Sequence, residues 1–515
     1  MREPPGPAGQ DRAPHPIELD GAQPAVRSPG TSSPNIQAEA AFCAPENRVF
    51  VLIAAILASA LGFMDGSVIA LALPAIRADL GASLAQAQWI NNGYLLPLGA
   101  LILLGGALGD RFGLARVFSL GIGIFVAASM ACAAAPGPEV LIAARVVQGL
   151  GAALMIPGSL ALIARSYPEG ERGRAIGLWA SAAALTTALG PIVGGVVLSL
   201  GEPSIWRWIF AVNLPLGGLA LWFILRAVQG DRGRPGEPLD VIGALTITAG
   251  LGLIALGLTA EGEAGPRPAL AWTGLLLVAV FLWWEGRTRH PMLPLSLFKN
   301  PGFAAANAAT ALIYGAFTAV VFFLPMTLVA GWEISEILAA AAFAPLSVFI
   351  PLLSPFAGGW ADRFGPGRVI AAGGVILALG LTALGLGISL ENFWLALMPA
   401  TSLLGIGMAM LVAPLSTAVM SGVPGGLSGI ASATNNAVSR VAGLIAIAAF
   451  GTILASRYSG AGGLASFGEL SDSAGHGAAM NAAFQALALT AAAFAALGAI
   501  IALSFIPKKP SKSDA

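Results

Sequence analysis

From Val49 to Ile506 long apolar stretches alternate with short polar breaks, and each stretch has about the length that a bilayer core demands, roughly 20 residues at 1.5 Å per residue. Fourteen can be placed, near 49–73, 86–108, 115–135, 139–163, 174–200, 208–226, 241–260, 269–285, 302–329, 335–357, 368–389, 393–420, 428–455 and 479–506. The pattern predicts an all-α membrane protein with 14 transmembrane helices. Residues 1–48 differ: nine prolines, mixed charges and no apolar run predict a disordered tail that is not a cleaved signal sequence.

Two of the polar breaks repeat one another. GGALGDRFGLARV, Gly105 to Val117, returns as GGWADRFGPGRV, Gly358 to Val369, with Asp110 and Asp362 252 residues apart. The same offset superposes Gly106 on Gly358, Arg111 on Arg363, Gly113 on Gly365 and Arg116 on Arg368, so the chain is a duplication. Six helices with short loops need about 200 residues. Residues 240–287 supply the excess as two further spans with no charge before Glu285, expected to lie outside the bundles and face lipid. The expected organisation is a tail (1–48), an N-terminal six-helix bundle (49–229), a linker with two extra helices (230–290), a C-terminal six-helix bundle (291–507) and a second tail (508–515). GDRGRPGEPLD, Gly230 to Asp240, reads as the hinge between the halves.

Composition and charge add direction and exclusions. Hydrophobic residues make up 57% and charged residues 10%, against about 25% charged in ordinary soluble chains. An even span count places both ends on one side, and 20 of the 26 lysines and arginines fall there, with four opposite and Arg145 and Arg440 inside the membrane. The asymmetry predicts that both termini are cytoplasmic in a plasma membrane, the inner one in a bacterium. Net charge is zero, so no nucleic-acid partner is expected. Cys43 and Cys132 are too differently placed to pair, and the three histidines are scattered, so neither metal, cofactor nor enzyme chemistry is expected. No G-x-x-x-x-G-K-[ST] loop is present to drive an ATP pump.

Inside the spans the ionisable residues are Asp65, Arg145 and Arg440, each costing about 2.5–3.5 kcal/mol at a helix centre on insertion scales. Asp65 and Arg145 fall at similar depths, roughly 12 and 9 Å from the same face. Asn92, Tyr94, Gln148 and Asn213 are expected to join them. An intramembrane carboxylate is the usual proton carrier, and an adjacent arginine lets it toggle between charged and protonated forms; the competing reading is a set of polar groups pinning helices together. The second half places Ala316 opposite Asp65. It carries instead an uncharged stripe, Asn307, Thr310, Tyr314 and Thr318, which could line a substrate cavity or form a packing seam. Arg440, near Asn435 and Asn436, is a further cavity candidate or an arginine bonded to backbone carbonyls.

The repeated G-x-L-x-D-R-x-G-x-x-R loop resembles the signature of the major facilitator superfamily of secondary transporters. Four further segments carry the likeness: LIAARVVQGLGAA (Leu141–Ala153) resembles the R-x-x-Q-G pattern of proton coupling, and TTALGPIVGG (Thr186–Gly195) the G-x-x-x-G-P-x-x-G-G motif of antiporters, with Thr186 in place of its first glycine. WRWIFAVNLPLG (Trp206–Gly217) and MDGSVIALALP (Met64–Pro74) are similar to signatures of the fourteen-helix drug:proton antiporter branch, which usually has asparagine where this chain has Ala70. The resemblance implies two six-helix bundles plus two extra helices, with alternating access about a central cavity. It implies Asp65, Arg145 and Gln148 in proton coupling, and a conformational gate at Gly106, Asp110, Arg111, Gly113, Arg116, Asp362 and Arg363. Gly190, Pro191, Gly194 and Gly195 correspond to the antiporter motif. Asn92, Tyr94, Asn213, Asn307, Tyr314, Asn435 and Arg440 are cavity candidates. The expected activity is proton-coupled efflux of drugs or other small amphipathic compounds; an importer or a metabolite exporter is the alternative. Membrane lipid, protons and a small-molecule substrate are the expected partners, with a periplasmic adaptor protein if the host has an outer membrane.

Overall fold

A computed structural model describes residues 42–506, except 202–203, 229–230, 232, 235, 237, 260–265, 422 and 425–426. The tails expected at 1–48 and 508–515 lie, but for residues 42–48, outside the described residues. The described chain is helical, and the extended pairing found in it is an isolated bridge between Cys43 and Val228. In chain order the spans are α1 (Arg48–Leu80), α2 (Leu84–Phe112), α3 (Leu114–Ala133), α4 (Pro138–Ser166) and α5 (Glu169–Leu198). They continue as α6 (Arg207–Ala227), α7 (Val241–Leu258), α8 (Pro268–Glu285), α9 (Pro301–Gly331) and α10 (Glu336–Phe364). The last four are α11 (Pro366–Leu390), α12 (Phe393–Met420), α13 (Ser428–Gly460) and α14 (His476–Phe505). Thirteen are long and apolar enough to cross a membrane throughout the described residues. The other, α5, is 30 residues long, opens on EGERGR and is free of Asp, Glu, Lys and Arg from Ala175 to Leu198.

The boundaries follow local chemistry. Ser83 and Gln86 form a reciprocal capping box at the start of α2. Asn300 caps α9 ahead of Pro301, and Asp240 caps α7 through the Gly243 N–H at 2.8 Å. Between α2 and α3 the chain turns on Gly113 (φ 105°), and between α10 and α11 on Gly365 (φ 86°). Both angles are poor for any residue with a Cβ, so the duplicated loop repeats in backbone conformation as well as in sequence. Gly106, expected to let helices approach, faces open space; the close approach belongs to its neighbour Gly105, where a Cβ would lie 2.1 Å from the Ala153 carbonyl.

In the first half α4 packs on α2 and α3, and α1 on α4, α5 and α6; in the second, α11 packs on α12 and α14, α12 on α10, and α9 on α13 and α14. The halves meet where α2 crosses α13 and α5 crosses α10. Helices α7 and α8 pack on each other, and α7 alone of the two lies substantially against both α2 and α13. The pair is therefore more than a lipid-facing appendage: it bridges the seam, while side chains such as Leu245 and Trp272, 67% and 71% exposed, face outward.

Contacts between the halves concentrate at the face away from the two chain ends. Gln88 of α2 donates to the Ile447 carbonyl of α13 at 2.8 Å. Arg77, in the last turn of α1, is only 6% exposed and donates to the carbonyl of Phe467 and, at 3.2 Å, to Ser466. Trp206 and Arg207 tie down the same face within the first half: both reach Asp79 Oδ2, at 2.9 and 3.4 Å, and Arg207 also donates to the Ala133 and Ala135 carbonyls.

The segment expected to be a hinge is docked on the duplicated loop instead. Asp231 Oδ2 accepts from the N–H groups of Ala115 and Arg116 at 2.7 and 3.2 Å, so the open N-terminus of α3 is capped by the linker. The Arg234 N–H donates to the Asp110 carbonyl at 2.8 Å, and a Cβ on Gly233 would strike the Arg111 carbonyl.

Candidate functional site

A buried polar cluster lies within the first bundle and is built by five helices, α1, α2, α3, α4 and α6. Arg145 of α4 is fully buried and Asp65 of α1 is 3% exposed. The Arg145 Nη1 donates to Asp65 Oδ2 and to Gln148 Oε1, and its Nε donates to the Ile90 carbonyl at 3.0 Å. Gln148, one helical turn from Arg145, donates its amide to the other carboxylate oxygen, Asp65 Oδ1, at 2.9 Å. The same amide reaches Ser129 Oγ on α3 at 2.9 Å, and Asn213 of α6 donates to Ser129 at 3.2 Å. A buried charge of this kind must be paired and hydrogen-bonded, and here both carboxylate oxygens accept from named donors.

Aromatic rings enclose the pair. The Arg145 guanidinium carbon lies 4.4 Å from the Tyr94 ring centroid and 5.7 Å from that of Phe210, a favourable arrangement for a cation in a dry site. Tyr94 is held by its hydroxyl, which donates to the Gly62 carbonyl at 3.2 Å. Gly149 permits this approach, since a Cβ there would lie 2.4 Å from the Tyr94 carbonyl.

Asp65, Tyr94, Arg145, Gln148 and Asn213, grouped from sequence by depth, thus come together. Asn92 does not join by hydrogen bonding: it is fully buried and neither amide atom has a partner. Ser129 and Phe210 were not anticipated, because a lone serine in LGIGIFVAASM and a phenylalanine in an aromatic run carry no distinguishing pattern. Cys132, expected to be chemically silent, lies 3.7 Å from Gln148 Oε1 at the edge of the cluster.

In the second half the two readings of the α9 stripe separate. Asn435 of α13 donates to Asn307 Oδ1 at 3.1 Å and to Thr310 Oγ1 at 2.8 Å, and Thr318 sits where a Cβ on Gly443 would meet it at 3.0 Å. Those residues form a seam between α9 and α13, and Tyr314 lies half-buried beside it. Arg440 does not bond to backbone carbonyls: its Nε donates to Asn436 Oδ1 at 3.4 Å, and its Cβ lies at the α2 crossing, 3.1 Å from where Gly99 would carry one.

The antiporter-like segment forms a small-residue surface with two faces. A Cβ on Gly190 would meet Ser67 Oγ at 2.0 Å and one on Gly194 would meet Val68 at 2.8 Å, so both glycines seat α5 against α1. Gly195 faces the other half, where a Cβ would meet Ala340 at 2.4 Å. Pro191 lies within the helix between them. Around the duplicated loop, Gly106 and Asp110 border a small recess with Leu154 and Pro157 of α4, whereas Arg111 and Arg363 each lie over the phenylalanine that follows them, at 5.3 and 5.2 Å. Arg116 contributes its N–H to Asp231, and Asp362 is exposed near the end of α10.

The chain matches the Major Facilitator Superfamily over residues 55–447 and 308–515. It is 33% identical over 416 residues to the methylenomycin A resistance protein of Bacillus subtilis, covering 78% of this chain and 87% of that one. It is 31% identical to the tetracenomycin C resistance and export protein of Streptomyces glaucescens, over 77% of this chain and 75% of the relative. A probable actinorhodin transporter of Streptomyces coelicolor is 34% identical over 77% of this chain and 70% of its own. Among solved structures, a bacterial homologue of the human lysosomal transporter Spinster, in an inward-facing and unoccupied conformation, superposes with a TM-score of 0.64 at 17% identity, covering 91% of this chain and 100% of that one. A D-xylose-proton symporter gives 0.61 at 16% identity over 89% and 98%.

Proposed function

The chain belongs to the Major Facilitator Superfamily, and from that premise we propose that it exports drugs or other small amphipathic compounds in exchange for protons, with Asp65 as the proton carrier. One observation carries the reading. In a membrane interior otherwise free of acids away from helix ends, a single carboxylate stands beside a fully buried arginine and a glutamine that together saturate its two oxygens. Protonation of Asp65 would remove one acceptor position and weaken the hold of Arg145.

Coupling then follows from which face is sealed. The halves are joined at the face remote from the chain ends by Gln88 with Ile447 and by Arg77 with Ser466 and Phe467. With both termini cytoplasmic in the inner membrane, as the lysine and arginine distribution supports, the sealed face is external and the structure corresponds to the state that collects cargo. Opening outward would expose Asp65 to protons, and their uptake would reset the pair. The Asp110 loop, strapped by Asp231 and Arg234, acts in this scheme as the cytoplasmic gate, its carboxylate drawn to the N-terminus of α13 near Ser428 and Gly429. Protons, lipid and a small-molecule cargo are the partners, and a periplasmic adaptor is a further one where an outer membrane exists.

The relatives' names support export over import. A susceptibility panel in a pump-deficient host would find the cargo, and uptake of that compound into everted vesicles under an imposed pH gradient tests the direction. Gradient-driven uptake only into right-side-out vesicles would overturn the export reading in favour of an importer.

A further inference from the structure

An apolar cavity lies away from the Asp65 cluster. It has a volume of about 630 Å³ and opens beneath the α7–α8 pair, bounded by Ala100 of α2, Leu251 of α7, Phe281 of α8, Gly315 of α9 and Ala446 of α13. Its lining side chains are apolar with the exception of Thr434. A cargo pocket needs several convergent polar groups to fix orientation, and this cavity offers one hydroxyl. Along α13 it runs from Thr434 to Phe450, about 24 Å at 1.5 Å per residue, enough to traverse the roughly 15 Å hydrocarbon depth of one leaflet.

One end of the cavity is marked by charge. Met292, Leu293 and Phe298, which line it, belong to the short segment joining α8 to α9, on the face that carries the chain ends. That segment also presents Arg287, Arg289 and Lys299, all exposed and none in an ion pair among the described residues. Asp240 and Glu285, at the adjoining ends of α7 and α8, are turned inward, 8% and 3% exposed. Three outward cations therefore stand at the mouth of a cavity built for hydrocarbon.

We propose that this cavity is a binding site for an anionic phospholipid, one acyl chain lying between α7 and the α2–α13 seam and the headgroup phosphate held by Arg287, Arg289 and Lys299. Basic rims between transmembrane helices select anionic headgroups. A cationic amphipathic cargo would be repelled by the same rim. The acyl chain touches both halves, so its presence holds α7 against the crossing that must shift during alternating access. The inference needs only a membrane-spanning chain with its basic face at a headgroup layer, and stands whether or not transport is coupled to protons.

The test uses the purified full-length chain in mild detergent, titrated with phosphatidylglycerol or phosphatidylcholine of identical acyl chains, with bound lipid counted by native mass spectrometry. Phosphatidylglycerol is expected to bind at least tenfold more tightly. Replacing Arg287, Arg289 and Lys299 together by glutamine should bring the two lipids within twofold, and a variant with Arg287→Lys and Arg289→Lys should keep the preference. Ala446→Phe, which fills the cavity, should lower retention of both lipids at least fivefold, while Val375→Phe on the exposed face of α11 should not, and monodisperse elution of each variant checks folding. Equal affinity for the two lipids in the unmodified protein overturns the proposal, as does unchanged retention in Ala446→Phe. Loss of exported-compound binding in Ala446→Phe with lipid retention intact would assign the cavity to cargo and likewise overturn it.

Discussion

Asp65→Asn separates two consequences of one buried pair. The asparagine keeps size and can still accept from Gln148, but Arg145, fully buried and with its Nη2 already lacking a partner, loses its counter-charge. Breaking a buried pair by removing one partner costs about 3–5 kcal/mol, since the remaining charge is uncompensated. Arg145→Leu should cost less, because the abandoned aspartate can take up a proton and become neutral, whereas an arginine cannot lose one. The double variant, with neither charge, should recover most of the loss. Thermal unfolding in detergent should fall by roughly 5–10 °C for Asp65→Asn, less for Arg145→Leu and least for the double variant. In everted vesicles, Asp65→Asn should bind cargo yet show no uptake driven by a pH gradient. Arg145→Ala should impair coupling, and Arg145→Lys should restore part of it by supplying charge without the planar fork. Full gradient-driven transport by Asp65→Asn, abolished by a protonophore, would falsify the assignment of the carrier. Additive stability losses in the cycle would deny that the two residues interact at all.

Cysteines placed at Ser32 and Ser511 should both be shielded from an impermeant thiol reagent in intact cells; labelling of one alone breaks the even span count. Asp110→Asn should shift accessibility of cysteines lining the central cavity toward the cytoplasm, and an unchanged labelling pattern removes the gate role. Gly105→Val should prevent stable insertion because its Cβ would lie 2.1 Å from the Ala153 carbonyl, while Gly106→Ala, facing open space, should express and melt like the parent. Asp231→Ala should cost about 0.5–2 kcal/mol by uncapping α3, read as a lower melting temperature, with no effect expected if the linker is merely a spacer.

What the sequence made legible was what hydropathy and glycine spacing encode. Span count, the duplicated turn and the depth match of Asp65 with Arg145 are one-dimensional properties, because a residue's distance from a helix end converts directly to depth. Lateral neighbours are not. Ser129 gives no sign of standing between Gln148 and Asn213, since the rotation of α3 about its axis is set by packing against α4. Likewise Gly106 opens the motif and Gly105 merely precedes it, and only the facing of α2 decides that Gly105 meets α4 while a Cβ on Gly106 would meet nothing. The linker misled for a different reason: Pro, Gly and charge signal an exposed turn, but Asp231 and Gly233 give it two sticking points on the loop it was expected to swing past.

The two halves share backbone instructions but not chemistry, and the difference falls at one equivalent position. Asp65 of α1 turns into its own bundle and is neutralised by α4; the corresponding residue of α9, Ala316, is buried and borders the apolar cavity under α7. A carboxylate there would enter an apolar lining, at a cost of several kcal/mol unless it were paired. The second half therefore meets the polar demand of α9 about two and two and a half turns closer to the basic face, through Thr310, Asn307 and their partner Asn435, which need no counter-ion. The extra helices supply the reason such an arrangement is tolerable: by covering the α2–α13 seam they leave the α9 side of the crossing to apolar contacts alone. The buried ion pair is thus confined to the first half, and in the second half uncharged amides meet the polar demand of α9.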